Sequence, residues 1–281
     1  MTYRSILLHI DEGPDVDAQS EYAAGLASLF DARLVGLSCH HLGLPLGERA
    51  TPVFAEGDPL TTRLREAEDA AVEREAIFLR RCRQAGLKAF EAIRDGAPAA
   101  AALCAHALCS DLVVMGAAES AGPHRSSQQA LINAVLLDGA RPVLVLPRGG
   151  RFEPGAGRAV VAWDGRPGAA HAASAALPLL RHMRSVDLVR ATPPSAGRGA
   201  SIPVDLERAA AWLSQHGVDV HLRLAPCDPK VGPSLLFDAK AAGARLLVMG
   251  AWGRSRTVER VLGGATRDVL AGLDIPTLFA H

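Results

Sequence analysis

One hexapeptide occurs twice in this chain. Leu112-Val113-Val114-Met115-Gly116-Ala117 returns 134 positions later as Leu246-Leu247-Val248-Met249-Gly250-Ala251. The same offset carries Arg141-Pro142-Val143-Leu144 onto Ile275-Pro276-Thr277-Leu278. Nearer the start of each copy, Ile6-Leu7-Leu8-His9-Ile10-Asp11 matches Val160-Val161-Ala162-Trp163-Asp164 in kind, now with an offset of 153 from Asp11 to Asp164. A fixed internal period marks a duplicated folding unit. The 281 residues therefore read as two modest domains, expected at 1–148 and 157–281, and not as one large one. The two offsets differ by about nineteen residues, so the first copy is longer in its first half. The stretch 40–58, punctuated by Gly43, Pro45, Gly47, Pro52 and Gly57, is the expected place. Between the copies, Pro147-Arg148-Gly149-Gly150 through Pro154-Gly155-Ala156-Gly157 reads as a short flexible linker.

Within each copy, short runs rich in Val, Leu and Ile alternate with longer helical patterns. Strands buried on both faces read as continuous apolar runs. The first copy predicts strands near 4–10, 33–39, 88–93, 111–115 and 142–146, with helices near 16–30, 58–85, 98–109 and 126–137. The second predicts strands near 158–163, 186–191, 218–224, 245–249 and 276–280, with helices near 168–182, 203–216, 232–242 and 265–272. Alternating β and α elements build a parallel sheet with right-handed crossovers. The expected fold is α/β: two tandem doubly wound domains, each a five-stranded parallel sheet with helices on both faces.

Composition narrows the partners. Thirty basic residues balance thirty acidic ones, which argues against electrostatic capture of nucleic acid or of an anionic membrane. Apolar runs such as Leu246 to Met249 are far too short to span a bilayer. The segment Met1 to Ile10 passes straight into a strand-like run, without the apolar stretch of a signal peptide. Five irregularly spaced cysteines are no disulfide framework, and a reduced, cytoplasmic setting is expected.

In open α/β sheets, ligands bind beyond the carboxyl ends of the strands, where strand order reverses. Three segments of the second copy fall there: Asp164-Gly165, the stretch from Ala191 to Pro194, and Gly250 through Thr266. The last holds Gly250, Gly253, Gly263 and Gly264 around a basic loop with Arg254 and Arg256, and then opens a helix at Ala265 and Thr266. Glycines let backbone N–H groups approach an anion, and a helix start adds free N–H groups and a positive dipole end. The arginines suit phosphate. Glycine-rich turns also serve chain reversal alone. The segment is neither a P-loop, having no Gly-Lys-Ser/Thr, nor a dinucleotide fingerprint, which follows a first strand.

These residues carry a resemblance. Over nearly its whole length the second copy resembles a universal stress protein domain, whose nucleotide signature is Gly-x2-Gly-x9-Gly-Ser/Thr after the fourth strand. Gly250, Gly253 and Gly263 fit that spacing, and Asp164-Gly165 fits the end of the family's first strand. Gly264 departs from it, standing where the family has Ser or Thr, and Thr266, two residues on, offers a hydroxyl instead. The resemblance implies an adenine-nucleotide alpha-hydrolase-like fold, tandem in this chain, and ATP in the second half. Mg2+ is an admissible companion ion. It implies a role in stress response as a regulatory or protective protein. The first copy resembles the family in fold only: Gly116 keeps the first glycine, but Glu119 and Gln129 stand where the second and third belong. A carboxylate beside phosphates is unfavourable, so this half reads as a degenerate site.

Asp11 and Asp164 serve either as strand-end turn formers and ribose contacts or as acids. No base–nucleophile–acid set converges on them, so no catalytic residue is assigned and any ATP hydrolysis is expected to be slow. Cys39-His40-His41 lacks a spaced second ligand pair, which argues against zinc. Trp163 and Trp252 flank the expected cleft, Cys104, His106 and Cys109 share a helix, and Asp228 or Ser234 is expected to cap the helix after Cys227. Rival functions are a pocket for another metabolite, a pure protein-interaction module, and an enzyme of electron-transfer-flavoprotein or nucleotidyl-transfer type. Single-domain members of the family resembled here dimerise through the final strand. The resemblance therefore implies an intramolecular pseudo-dimer through Pro142–Leu146 and Pro276–Ala280, with any homodimer built from other surfaces.

Overall fold

The computed structural model describes residues 2–39, 59–193, 201–227, 230–251 and 263–281. The first half runs β1 (Ser5–Ile10), α1 (Val16–Phe30), β2 (Arg33–Cys39), α2 (Pro59–Gln84), β3 (Phe90–Asp95), α3 (Ala99–Ala107), β4 (Leu112–Gly116), α4 (Arg125–Asp138) and β5 (Val143–Leu146). The second repeats it as β6 (Arg158–Ala162), α5 (Pro167–Leu180), β7 (Ser185–Thr192), α6 (Val204–Gln215), β8 (Val220–Pro226), α7 (Val231–Ala241), β9 (Ala244–Gly250), α8 (Gly264–Ala271) and β10 (Thr277–Ala280). Every strand and helix expected from the sequence is present, with ends shifted by a few residues.

The five strands of each half are parallel, but they do not form separate sheets. They join into one ten-stranded sheet of order β3-β2-β1-β4-β5-β10-β9-β6-β7-β8. The join is antiparallel: Leu278 lies opposite Leu144, with Thr277 opposite Val145 and Phe279 opposite Val143. Register repeats the duplication. Leu8 faces Val114 in the first half, and Val161 faces Val248 in the second, which are the same pair advanced by the 153 and 134 of the sequence. Strand order turns back between β1 and β4 and between β6 and β9, which are the two switch points.

Alternation of side chains along each strand feeds two cores. Ile6, Leu8, Leu144, Val161 and Leu278 pack with α1, α2, α5 and α6 on one face. Leu7, Val113, Val145, Val160 and Phe279 pack with α3, α4, α7 and α8 on the other. Both cores draw residues from both halves, so the seam interrupts neither. Not every strand residue is apolar. Asp187 of β7 is wholly buried and held by Arg158 at 3.1 Å and Arg223 at 3.5 Å. A buried carboxylate needs such partners.

The stretch 40–58, the expected place of the first half's extra length, lies outside the described residues, and the long helix expected over 58–85 is present. The helix α2 has 26 residues where α6 has 12, and Ala71, Phe78 and Cys82 form its buried stripe. The linker is no free tether. Gly149 N–H donates to Asp15 at 3.0 Å, Arg151 pairs with Asp17 and Glu21, and Ala156 N–H donates to His182 O at 2.9 Å. Pro154 packs where a Cβ on Gly25 would stand, and Gly155 lies near Leu29. Asp15 to Leu29 is about 21 Å of helix at roughly 1.5 Å per residue. Arg148 to Gly155, extended, spans about 23 Å at roughly 3.3 Å per residue. The linker is therefore a strap laid along α1, and glycine signals could not reveal the ion pairs that hold it. Left-handed φ values of 70° at Gly149 and 77° at Gly155 let it turn at each end.

The seam is expected to be a large stabilising element. Leu278→Ala removes a fully buried side chain from its centre. It should cost about 3 kcal/mol in urea unfolding of the whole chain. A loss below about 1 kcal/mol would mark the seam as loosely packed.

Candidate functional site

The switch point of the second half is built from three chain turns. After β6, Asp164 Oδ1 accepts the Arg166 N–H at 3.0 Å, closing a tight turn into α5. Gly165 occupies that turn with φ of 78°, and a Cβ there would stand 2.7 Å from Asp205 Oδ2. At the end of β9, a Cβ on Gly250 would fall 2.7 Å from the Gly168 carbonyl carbon and 3.0 Å from Ala169 N. Gly250 is thus needed first so that β9 and the start of α5 can touch backbone to backbone. Gly263 then caps α8 without a side-chain hydrogen bond, in extended geometry at φ −56° and ψ 152°. The first N–H groups of α8, from Gly264 to Thr266, have no partner within the helix.

These turns enclose a cleft of about 550 Å³. Asp164, Ala191, Gly250, Gly263, Gly264, Ala265 and Thr266 all line it, so seven of the ten expected site residues converge. Gly165 is not among the lining residues. Gly253 and Arg254, like Pro194, Trp252 and Arg256, lie outside the described residues. Val189, Val231, Leu235 and Met249 give the cleft apolar lining, and Gly263 to Thr266 give it the backbone at the start of α8. This is the usual division in a small-molecule site.

Several roles differ from expectation. The Thr266 hydroxyl is buried and donates to Ala251 O at 2.7 Å, so it pins α8 to the end of β9 and is not a free donor for phosphate. Asp164 shapes a turn, and its side chain remains half exposed. Ser234 bonds Lys230 O, and the capping position of α7 is Lys230 itself, while Asp228 lies outside the described residues. Arg190 and Arg166 line the cleft and were not expected from the sequence. The one signal for Arg190 was a cation near the carboxyl end of its strand. Its Nε donates to Trp163 O at 3.3 Å, and its guanidinium meets Asp205, which also accepts Trp163 Nε1 at 3.2 Å. Partial burial of Asp205 opposes its ionisation, but the Trp163 and Arg190 donors hold its carboxyl below the usual carboxylate range. Trp163 is thereby fixed by a hydrogen bond at the mouth of the cleft.

The matching place in the first half holds a space of about 530 Å³, but polar side chains such as Glu119, Gln129 and Arg148 line it. A Cβ on Gly116 would stand 2.2 Å from Gln19 Nε2, so a side chain fills what is backbone contact around Gly250. Glu119 N–H donates to Gln128 Oε1 at 2.8 Å, and Gln129 is occupied with Asn133. Asp11 is buried and bonded to Gly13, Gln19 and Arg148. On α3, His106 meets Asp95 at 3.2 Å. Burial, with Asp95 close by, pushes the Cys39 thiol up to about 11. His40 and His41 lie outside the described residues. No helix among the described residues is long and apolar enough to cross a membrane.

No family model matches the chain, and no curated protein matches it. Solved structures do. A universal stress protein from Archaeoglobus fulgidus DSM 4304 superposes with a TM-score of 0.71 at 16% identity, over 98% of this chain and 97% of that one. A functionally unknown protein from Pseudomonas aeruginosa PAO1 gives a TM-score of 0.61 at 14% identity, over 99% of this chain and 92% of that one. The likeness is one of fold: end to end, the chain has the fold of a universal stress protein.

Two glycines of the cleft should behave oppositely. Gly250→Ala drives a methyl group into the backbone of α5 and should cost about 1–3 kcal/mol. Gly264→Ala meets nothing within 4 Å and should change stability by less than about 0.5 kcal/mol. Equilibrium unfolding of both variants checks the contrast.

Proposed function

We propose that this chain is a tandem universal stress protein that binds ATP, or a related adenine nucleotide, in the cleft of its second half. The observation that carries the reading is the convergence of Asp164, Ala191, Gly250 and Gly263 to Thr266 on one cleft at a switch point. Its volume of about 550 Å³ lies within the range of roughly 300–1,000 Å³ usual for small-molecule sites. The apolar wall of Val231, Leu235 and Met249 suits a base. The uncapped start of α8 suits phosphates, which its free N–H groups and dipole attract. Mg2+ would enter with the phosphates, as that ion commonly does. Among the described lining residues, Asp164 is tied into a turn and Thr266 to a carbonyl, so neither is poised as base or nucleophile. Binding without efficient hydrolysis is the activity proposed. The two repeats, 1–148 and 157–281, act as an internal pair through β5 and β10, and nucleotide occupancy of one half regulates a stress-response role.

The direct test is to denature the purified chain and identify the small molecule released. An adenine nucleotide supports the reading, and a different metabolite replaces it. Titration calorimetry on variants refines it. Gly263→Asp places a carboxylate at the start of α8 and should abolish ATP binding. Gly264→Ser restores a hydroxyl in open space and should tighten ATP about tenfold, the worth of roughly 1.4 kcal/mol for a hydrogen bond to a charged group. Weaker binding by Gly264→Ser would place the phosphates elsewhere.

A further inference from the structure

We infer that the strand-end cleft of the first half is a guanidinium-binding site, occupied within the chain by Arg148. The two carboxylates that make it are Asp11, just past β1, and Asp15, the residue that caps α1. Each divides its oxygens in the same way. Asp11 Oδ1 accepts the Gly13 N–H at 2.9 Å, and Oδ2 accepts Arg148 Nη2 at 2.9 Å. Asp15 Oδ1 accepts the Gly149 N–H at 3.0 Å, and Oδ2 faces Arg148 Nη1 at 3.5 Å. Arg148 Nε donates to Ala117 O at 2.6 Å. All three nitrogens of the guanidinium are therefore engaged, by two carboxylates and one carbonyl. The group matches the planar fork that distinguishes arginine from lysine.

Three further observations show that the surroundings are shaped for this cation. Aspartate at a capping position ordinarily accepts an N–H of its own helix. Asp15 makes no such bond and gives its oxygens to Arg148 and Gly149 instead. A Cβ on Gly13 would stand 2.1 Å from Arg148 Nη1, so any other residue there would displace the guanidinium. Gln19, itself buried, turns its Nε2 to Asp11 at 3.3 Å, and its Oε1 has no hydrogen-bond partner among the described residues.

The second half lacks this machinery. The sequence offset of 153 puts Arg166, Gly168 and Ala172 where Gly13, Asp15 and Gln19 stand. The side chain of Asp164 is 54% exposed where that of Asp11 is 9% exposed. The two clefts thus have opposite charge logic: backbone donors for an anion in one, carboxylates for a cation in the other. Arg148 opens the strap, so its guanidinium also fixes where the strap leaves β5. A space of about 530 Å³, lined in part by Asp15, Arg148 and Gly149, gives solutes access to the group. The inference concerns the first half alone and stands whether or not the second half binds nucleotide.

Chemical rescue tests it on the full chain. Arg148→Ala should melt several degrees below the wild type. Low-millimolar guanidinium chloride should raise that melting temperature in a saturable way, against sodium and tetramethylammonium chloride at equal ionic strength. The wild type should show no rise, and Asp11→Asn combined with Arg148→Ala should abolish the rescue. An Arg148→Ala chain that melts with the wild type, or that guanidinium only destabilises, overturns the inference. If Arg148→Ala does not fold, Gly13→Ala displaces the same group by overlap. It should then speed amide exchange at Gly149 by roughly tenfold or more. An unchanged rate there would also overturn it.

Discussion

The antiparallel pairing of β5 with β10 is the contact on which the rest of the molecule depends. A parallel five-stranded sheet that ends in Val143–Leu146 or Thr277–Ala280 would leave an apolar edge of unpaired N–H and C=O groups. Paired with each other, the two closing strands remove both edges and carry both hydrophobic cores across the chain. The edges that remain, β3 and β8, bear Glu91, Arg94, His221 and Arg223, the kind of charge that discourages further pairing. Because the seam is antiparallel, the carboxyl ends of the two sets of strands lie at opposite margins of the sheet. The two switch points therefore open at opposite margins, and the end of α8 reaches that of the first half, where Leu270 and Leu273 line the space beside Arg148.

Duplication placed two equivalent clefts in the chain, and side-chain chemistry has separated them. Both halves keep an aspartate after their first strand and the same turn, with the carboxylate accepting an N–H two residues on at 2.9 Å and 3.0 Å. Both keep a glycine at the end of the fourth strand, but Gly116 makes room for a glutamine and Gly250 for backbone. The consequence is a cleft whose carboxylates are taken by the chain's own arginine in one half and a cleft bounded by a helix start in the other.

Much of this was legible beforehand. Continuous apolar runs against helical periods gave all ten strands and eight helices of the described residues, and the offsets of 153 and 134 reappear as strand register. Glycine spacing located the cleft, because close backbone approach leaves a mark in residue type. What escaped notice depends on partners far apart in sequence. Nothing near Arg148 announces Asp11, 137 residues away, and nothing near Arg190 announces Asp205 on the next helix. The strap read as flexible because its glycines and prolines are local signals, whereas Arg151 finds Asp17 and Glu21 only in the fold. Thr266 read as a free hydroxyl because its acceptor is a backbone carbonyl, which leaves no trace in residue type.

The molecule turns on a contrast between a cleft lined by glycine and helix-start backbone in one half and a cleft whose carboxylates are taken by its own Arg148 in the other. Hydrogen exchange of the whole protein, read by mass spectrometry with and without saturating ATP, addresses it directly. Slowed exchange is expected in 163–169, 249–251 and 263–268, and unchanged exchange in 11–19 and 116–121. Protection of the first-half segments, or none anywhere, would contradict it.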